Sequence, residues 1–223
     1  DLELDASQIE TQIRSALEAL RVRFSTLDEA SADRAALLLS KRLELIERSR
    51  SIVELSAAGQ RIRIHGDYHL GQTLRTAVKG GTDDRGDFVL LDFEGEPARS
   101  LLQRRRKQSP LKDVAGMLRS FSYAAFAGLK EFRDANSKDL RVNAAGGLST
   151  WAEAWQKSTS GEFLRGYRET IAKNPDLLPP GREMQLLLDA FVLEKALYEL
   201  QYELNNRPAW IHIPIAGILS LCN

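Results

Sequence analysis

The sequence predicts a mainly α fold carrying a small β-hairpin sheet, and three observations lead there. Apolar residues recur at three- and four-residue steps through the first sixty residues and again from Pro110 onward. Between these regions lie short stretches with the texture of strands, Arg61-Ile62-Arg63-Ile64 alternating with period two and Phe88-Val89-Leu90-Leu91-Asp92-Phe93 running apolar. Polar, glycine-punctuated segments follow both, at strand ends where functional groups are commonly placed.

In chain order, Ile9, Ile13, Ala16, Leu17, Leu20 and Phe24 form the stripe of a first helix. A second helix is expected from about Ser31, with Ala35, Leu38, Leu39, Leu43, Ile46, Val53 and Leu55 as its apolar positions and Gly59 as its stop. After the Arg61–Ile64 strand comes the turn His65-Gly66-Asp67-Tyr68-His69-Leu70-Gly71-Gln72, and Thr73–Thr76 reads as a return strand. A hydrophilic loop from Lys79 to Asp87 leads to the Phe88–Phe93 strand, which Glu94-Gly95-Glu96-Pro97 ends. Helices are then predicted near Val114–Phe132, Thr150–Ala172 and Arg182–Asn205 and in the tail, separated by Asn174-Pro175 and Pro179-Pro180-Gly181. On the Arg182–Asn205 helix, Leu186, Ala190, Leu193, Leu197, Leu200 and Leu204 form a near-heptad seam expected to face the core. Trp151 and Trp155, four residues apart, read as helix packing. Residues 1–60 are expected as a helical segment leading into a lobe over 61–223, one domain overall.

Composition bounds the function. With 223 residues, 43% of them hydrophobic, the chain can build one substantial core. Its 31 Lys and Arg balance 31 Asp and Glu, which removes the basic field that sequence-independent nucleic-acid binding needs. The run Gln103-Arg104-Arg105-Arg106-Lys107 is short and lacks interleaved aromatics; it reads as a solvated loop, or as a group near a phosphate-handling site. Cys222 is the only cysteine, so no intramolecular disulfide forms and a cytoplasmic location is expected. The acidic N-terminus is not a signal peptide, and no apolar run approaches a membrane span, so neither membrane nor nucleic acid is expected as a partner. The chain opens without an initiator Met, as a fragment or a domain does.

Chemistry concentrates in the turns. Phosphoryl transfer from ATP needs a carboxylate for the acceptor hydroxyl and hard oxygen ligands for Mg²⁺. Protein kinases supply these from H-R-D-x-x-x-x-N followed by D-F-G. Here the pattern is His65-Gly66-Asp67-x-x-x-x-Gln72 followed by Asp92-Phe93-Glu94, with the same Asp-to-amide spacing and the second Asp at the end of a strand. A metal reading of His65, Asp67 and His69 competes, but only His212 and the near-terminal Cys222 remain to complete a closed zinc site.

The H-G-D loop has the form seen in small-molecule kinases of the aminoglycoside phosphotransferase type. His65–Gln72, Leu90-Leu91-Asp92-Phe93-Glu94-Gly95-Glu96-Pro97, Ser109–Phe121 and the motif from Glu194-Lys195-Ala196-Leu197-Tyr198-Glu199 to Arg207-Pro208-x-Trp210 together resemble maltokinases, over about Ile62 to Ile218. The resemblance implies the C-terminal lobe of a protein-kinase-like fold that makes maltose 1-phosphate from maltose and ATP, with Mg²⁺ as cofactor. In this reading Asp67 is the catalytic base, Gln72 and Asp92 hold Mg²⁺, and Lys195, Tyr198 and Tyr202 bind the sugar. His65 and Glu94 support the loop. An N-terminal ATP-binding lobe would be supplied elsewhere, and a trehalose synthase domain is a conceivable neighbour, since some maltokinases are fused to one. Two alternatives stand beside it: another small-molecule kinase of the same fold, acting on an aminoglycoside or choline, and a sugar-binding module that has lost catalysis.

Overall fold

A computed structural model describes residues 2–76, 86–97, 99–136 and 147–222. The Lys79–Asp87 loop, including Gly80-Gly81, falls mostly outside the described residues.

The N-terminal helix α1 (Leu2–Arg23) forms because its apolar positions share one face, and Ile9, Ile13, Ala16 and Leu20 are fully buried. Acidic residues open it and Arg21 and Arg23 close it, matching the helix dipole at both ends. The single second helix expected from Ser31 is two helices, α2 (Glu29–Ser40) and α3 (Arg42–Ser51), broken at Lys41. Asp28 caps α2, accepting from the Ser31 amide at 2.9 Å. Gly59 is not the stop: α3 ends at Ser51, and Leu43 and Val53, expected as apolar positions, are exposed. The break resets the helical phase, so a single stripe drawn through both helices misplaces residues beyond it.

Among the described residues the sheet is an antiparallel pair, β1 (Thr73–Arg75) with β2 (Phe88–Leu90), in the register Thr73↔Leu90, Leu74↔Val89 and Arg75↔Phe88. Arg61–Ile64 is not a strand; only Ile62 makes an isolated bridge, to Gln108. Its alternation has no partner strand to pair with. The second strand ends at Leu90, two residues short of Asp92. Asp92 takes a left-handed conformation (φ 58°) that Asp tolerates better than most side chains, and the chain turns there.

A short helix α4 (Leu101–Arg105) starts in a capping box made by Ser100 and Gln103. Then come α5 (Leu111–Ala135), α6 (Gly147–Ile171), α7 (Gly181–Asn206) and α8 (His212–Leu219). Helix α7 is the centre of the molecule, packed against α1, α5 and α8. It is buried around most of its circumference: Ala190, Leu193, Leu197, Leu200 and Leu204 are in the core as the seam predicts, while Leu187 and Leu188 are buried more deeply than Leu186. Helix α6 lies outside, against α5, through contacts such as the edge-on Phe121–Phe163 pair at 5.7 Å. Trp151 and Trp155 do not pack; they are 76% and 48% exposed.

Candidate active site

The loop between Ile64 and Gln72 is built around His65. The Leu91 carbonyl lies 2.7 Å from its Nε2 and can only accept, so Nε2 carries the hydrogen. Nδ1 is left to accept, and the Asp67 amide donates to it at 3.4 Å. One buried imidazole thus links the backbone of Asp67 to the residue before Asp92. Gly66 adopts φ 81°, where a side chain is strained, so the bend between His65 and Asp67 requires glycine.

Asp113, at the start of α5, completes the loop. Its carboxylate accepts from the His65 amide at 2.7 Å and the Gly66 amide at 2.9 Å. Burial pushes its carboxyl above the usual range, against the pull of those two amides in the other direction. Gly116, one turn on, lets α5 approach the loop: a methyl there would sit 2.6 Å from the Tyr68 carbonyl oxygen. Asp113→Ala would strand two shielded amides, at about 1–3 kcal/mol each. At about 2–4 °C per kcal/mol for a chain of this size, melting should fall by about 4 °C or more. An unchanged melting temperature would show that the loop does not depend on this carboxylate.

Asp67 lines a cleft together with Glu96, Arg99, Lys112, Lys195 and Tyr198. Its side chain is 18% exposed, open enough to meet a ligand, and His69 Nε2 stands 3.8 Å from it. Lys195 holds its ammonium 5.1 Å above the Tyr198 ring. Burial, with the charges of Glu96 and Asp67 nearby, raises the Tyr198 hydroxyl above its usual range, keeping it a donor. Lys112 bonds Glu194 at 2.6 Å, approaches Asp5 of α1 at 3.6 Å and lies over the Phe191 ring.

Not every expected residue reaches this cleft. Tyr202 is 46% exposed and does not line it; its ring lies under Arg207, 5.5 Å away. Tyr198 and Tyr202 do stand four residues apart on α7, but the cleft ends before the later one. Glu94 is exposed, contributing its carbonyl to Arg104 at 3.4 Å. Gln72 and Asp92 lie outside the cleft lining but meet each other, the Gln72 amide donating to an Asp92 carboxylate oxygen at 3.1 Å. An amide and a carboxylate in contact are donors of the kind Mg²⁺ takes, since that ion keeps several waters and needs few protein oxygens. Among the described residues no group of three His, Cys, Asp or Glu could hold a metal, which argues against zinc at His65, Asp67 and His69. No helix among them is long and apolar enough to cross a membrane.

Of the basic run, Arg104 turns inward to line the cleft, while Arg105, Arg106 and Lys107 stay exposed. Sequence reasoning missed Glu96 as a cleft residue and Asp113, Lys112 and Glu194 as its scaffold. All four lie inside the motifs already singled out, so the signal was present without any indication of which residue faced the cleft.

The architecture is shared with solved proteins. Two crystal forms of a glucosamine kinase match all of the chain with TM-scores of 0.73 and 0.72, at 20% and 22% identity, over 46% and 44% of their own length. A glucosamine kinase in complex with glucosamine, ADP and inorganic phosphate matches at a TM-score of 0.71 and 22% identity, over 47% of its length. Among curated proteins, the glucosamine kinase of Streptacidiphilus jiangxiensis is 28% identical over 161 residues, 72% of this chain and 31% of the relative. That of Mycolicibacterium smegmatis is 28% identical over 159 residues, 70% of this chain and 33% of the relative. The chain therefore spans about a third of the length of these relatives. No protein-family model matches it.

These relatives overturn the resemblance to maltokinases and leave the protein-kinase-like lobe it implied without support. The physical reason lies in what the quoted motifs do. His65, Gly66 and Asp113 shape a loop, while the buried Glu199 and Glu203 hold Arg119 and Arg207. Such residues serve any enzyme built on this scaffold and carry little information about which sugar enters.

Proposed function

We propose that this chain forms the acceptor-binding and catalytic part of a kinase that transfers a phosphoryl group from ATP to glucosamine. The observation that carries the reading is the His65 bridge. It ties the backbone of Asp67, which lines the cleft, to the strand end that brings Asp92 against Gln72. The relatives' names, and the glucosamine and ADP in a neighbour of the same fold, support the choice of substrates.

In this mechanism Asp67 accepts the proton of the sugar hydroxyl as that oxygen attacks the terminal phosphorus of ATP. Gln72 and Asp92 would hold Mg²⁺, which neutralises phosphate charge when bound. Lys195 offers a donor and Tyr198 an aromatic face to the sugar, whose hydroxyls and C–H faces suit them. His65 keeps the Asp67 backbone fixed, so no loop ordering is required at the moment of transfer.

The test is ADP release by the full-length protein carrying this chain, with glucosamine, glucose or maltose as acceptor and with Mg²⁺ supplied or chelated. Release that needs both glucosamine and Mg²⁺ is expected. Release with maltose alone, or with none of the three, would refute the proposal.

A further inference from the structure

A buried acceptor without a partner stands in the same cleft. Gln12, on α1, lines it, and its Oε1 is shielded from solvent yet accepts no hydrogen bond. A shielded, unpaired amide oxygen is unfavourable, and such groups in native structures commonly await a ligand. The carboxylates lining the cleft have roles already. Asp113 takes the His65 and Gly66 amides, Glu194 takes Lys112, Glu96 takes the Tyr198 hydroxyl, and Asp67 is assigned to the reacting hydroxyl.

An amide oxygen only accepts, so the ligand group that meets it must donate. On the α1 side of the cleft, the Lys112 ammonium bonds Glu194, approaches Asp5 and lies over the Phe191 face, so its charge is already shared between two carboxylates. A hydroxyl offers the Gln12 oxygen a single hydrogen. A protonated amine brings three hydrogens and no lone pair.

We propose that Gln12 receives the amino group of the acceptor sugar and so sets the preference of the cleft for an amino sugar over its neutral counterpart. This rests on the glucosamine reading above. Because the Gln12 oxygen bonds nothing in the unliganded protein, removing it should weaken binding without weakening the fold, which a structural residue would not do.

The experiment compares the full-length wild-type protein with Gln12→Met, which is similar in length and lacks the acceptor. Melting temperature is read without ligand, and binding of glucosamine and of glucose by calorimetry, alongside the KM values. The melting temperature should hold or rise, and glucosamine affinity should fall about tenfold or more, the size expected for a lost charge-assisted bond. Glucose affinity should stay within about twofold. Gln12→Glu, which keeps an acceptor, should retain the preference. Equal losses for both sugars would mean that Gln12 meets a hydroxyl, and a lower melting temperature with both affinities intact would make it structural. Either result overturns the proposal. A wild-type protein that neither binds nor phosphorylates glucosamine removes the proposed function together with this inference. Wild-type activity with an unaltered Gln12→Met removes the inference alone.

Discussion

Asp67→Asn in the full-length protein is expected to lower kcat with glucosamine by about a thousandfold, the contribution a positioned general base typically makes. The substitution keeps the size of the side chain and one acceptor oxygen. It does not touch the backbone amide that bonds His65 Nδ1, so the loop should keep its shape. The loss should therefore appear in kcat, with the sugar dissociation constant nearly unchanged. A contrary result is equally readable. If KM rises while kcat holds, Asp67 binds the sugar without accepting its proton, and the base must be sought elsewhere, with His69 the nearest titratable group at 3.8 Å.

Much of this site was legible because its spacing is local. His65 to Gln72 is one loop, and the chemistry that needs an aspartate five residues before an amide can be read straight from the chain. Asp92 was legible because it closes an apolar run. The helices α5, α6 and α7 were equally plain, each flanked by proline, glycine or both and each with a continuous apolar period. What failed was whatever depends on distant partners. Arg61–Ile64 alternates like a strand, yet only Ile62 finds a bridge. Tyr202 shares a stripe with Tyr198, but the cleft closes between them, and helical spacing cannot say where a cavity ends. Gln12 and Asp5 lie more than fifty residues before the His65–Gln72 loop, and nothing in the sequence marks them as neighbours of it. The substrate was the least legible of all. The residues that make the motifs conspicuous hold the scaffold together, and the Gln12 acceptor that we propose selects the sugar is an ordinary glutamine on an amphipathic helix.

The motif on α7 illustrates this division, and it yields a large expected effect on stability. Glu194, Lys195 and Tyr198 line the cleft, whereas Glu199 and Glu203 bond elsewhere. Glu203 accepts from the Tyr123 hydroxyl at 3.1 Å and from Arg207 at 2.6 Å, and burial raises that hydroxyl far above its usual range. Glu199 accepts from Arg119 of α5 at 2.7–2.8 Å, and both side chains are almost wholly buried. Arg119 also points at the Ile213 carbonyl of α8, 3.5 Å away, so one guanidinium ties three helices. Arg119→Met leaves the Glu199 carboxylate buried with no cation, which costs about 3–5 kcal/mol. With about 2–4 °C lost per kcal/mol, melting should fall by roughly 6–20 °C. Arg119→Met combined with Glu199→Leu removes the stranded charge as well, so the double variant should recover most of that loss. Thermal melts of the two single variants and the double decide the matter, because coupling is measured by their departure from additivity. If the double variant melts where the two single losses summed would put it, Arg119 and Glu199 act independently, and the helix that presents Lys195 and Tyr198 to the cleft is held in place by its apolar core alone.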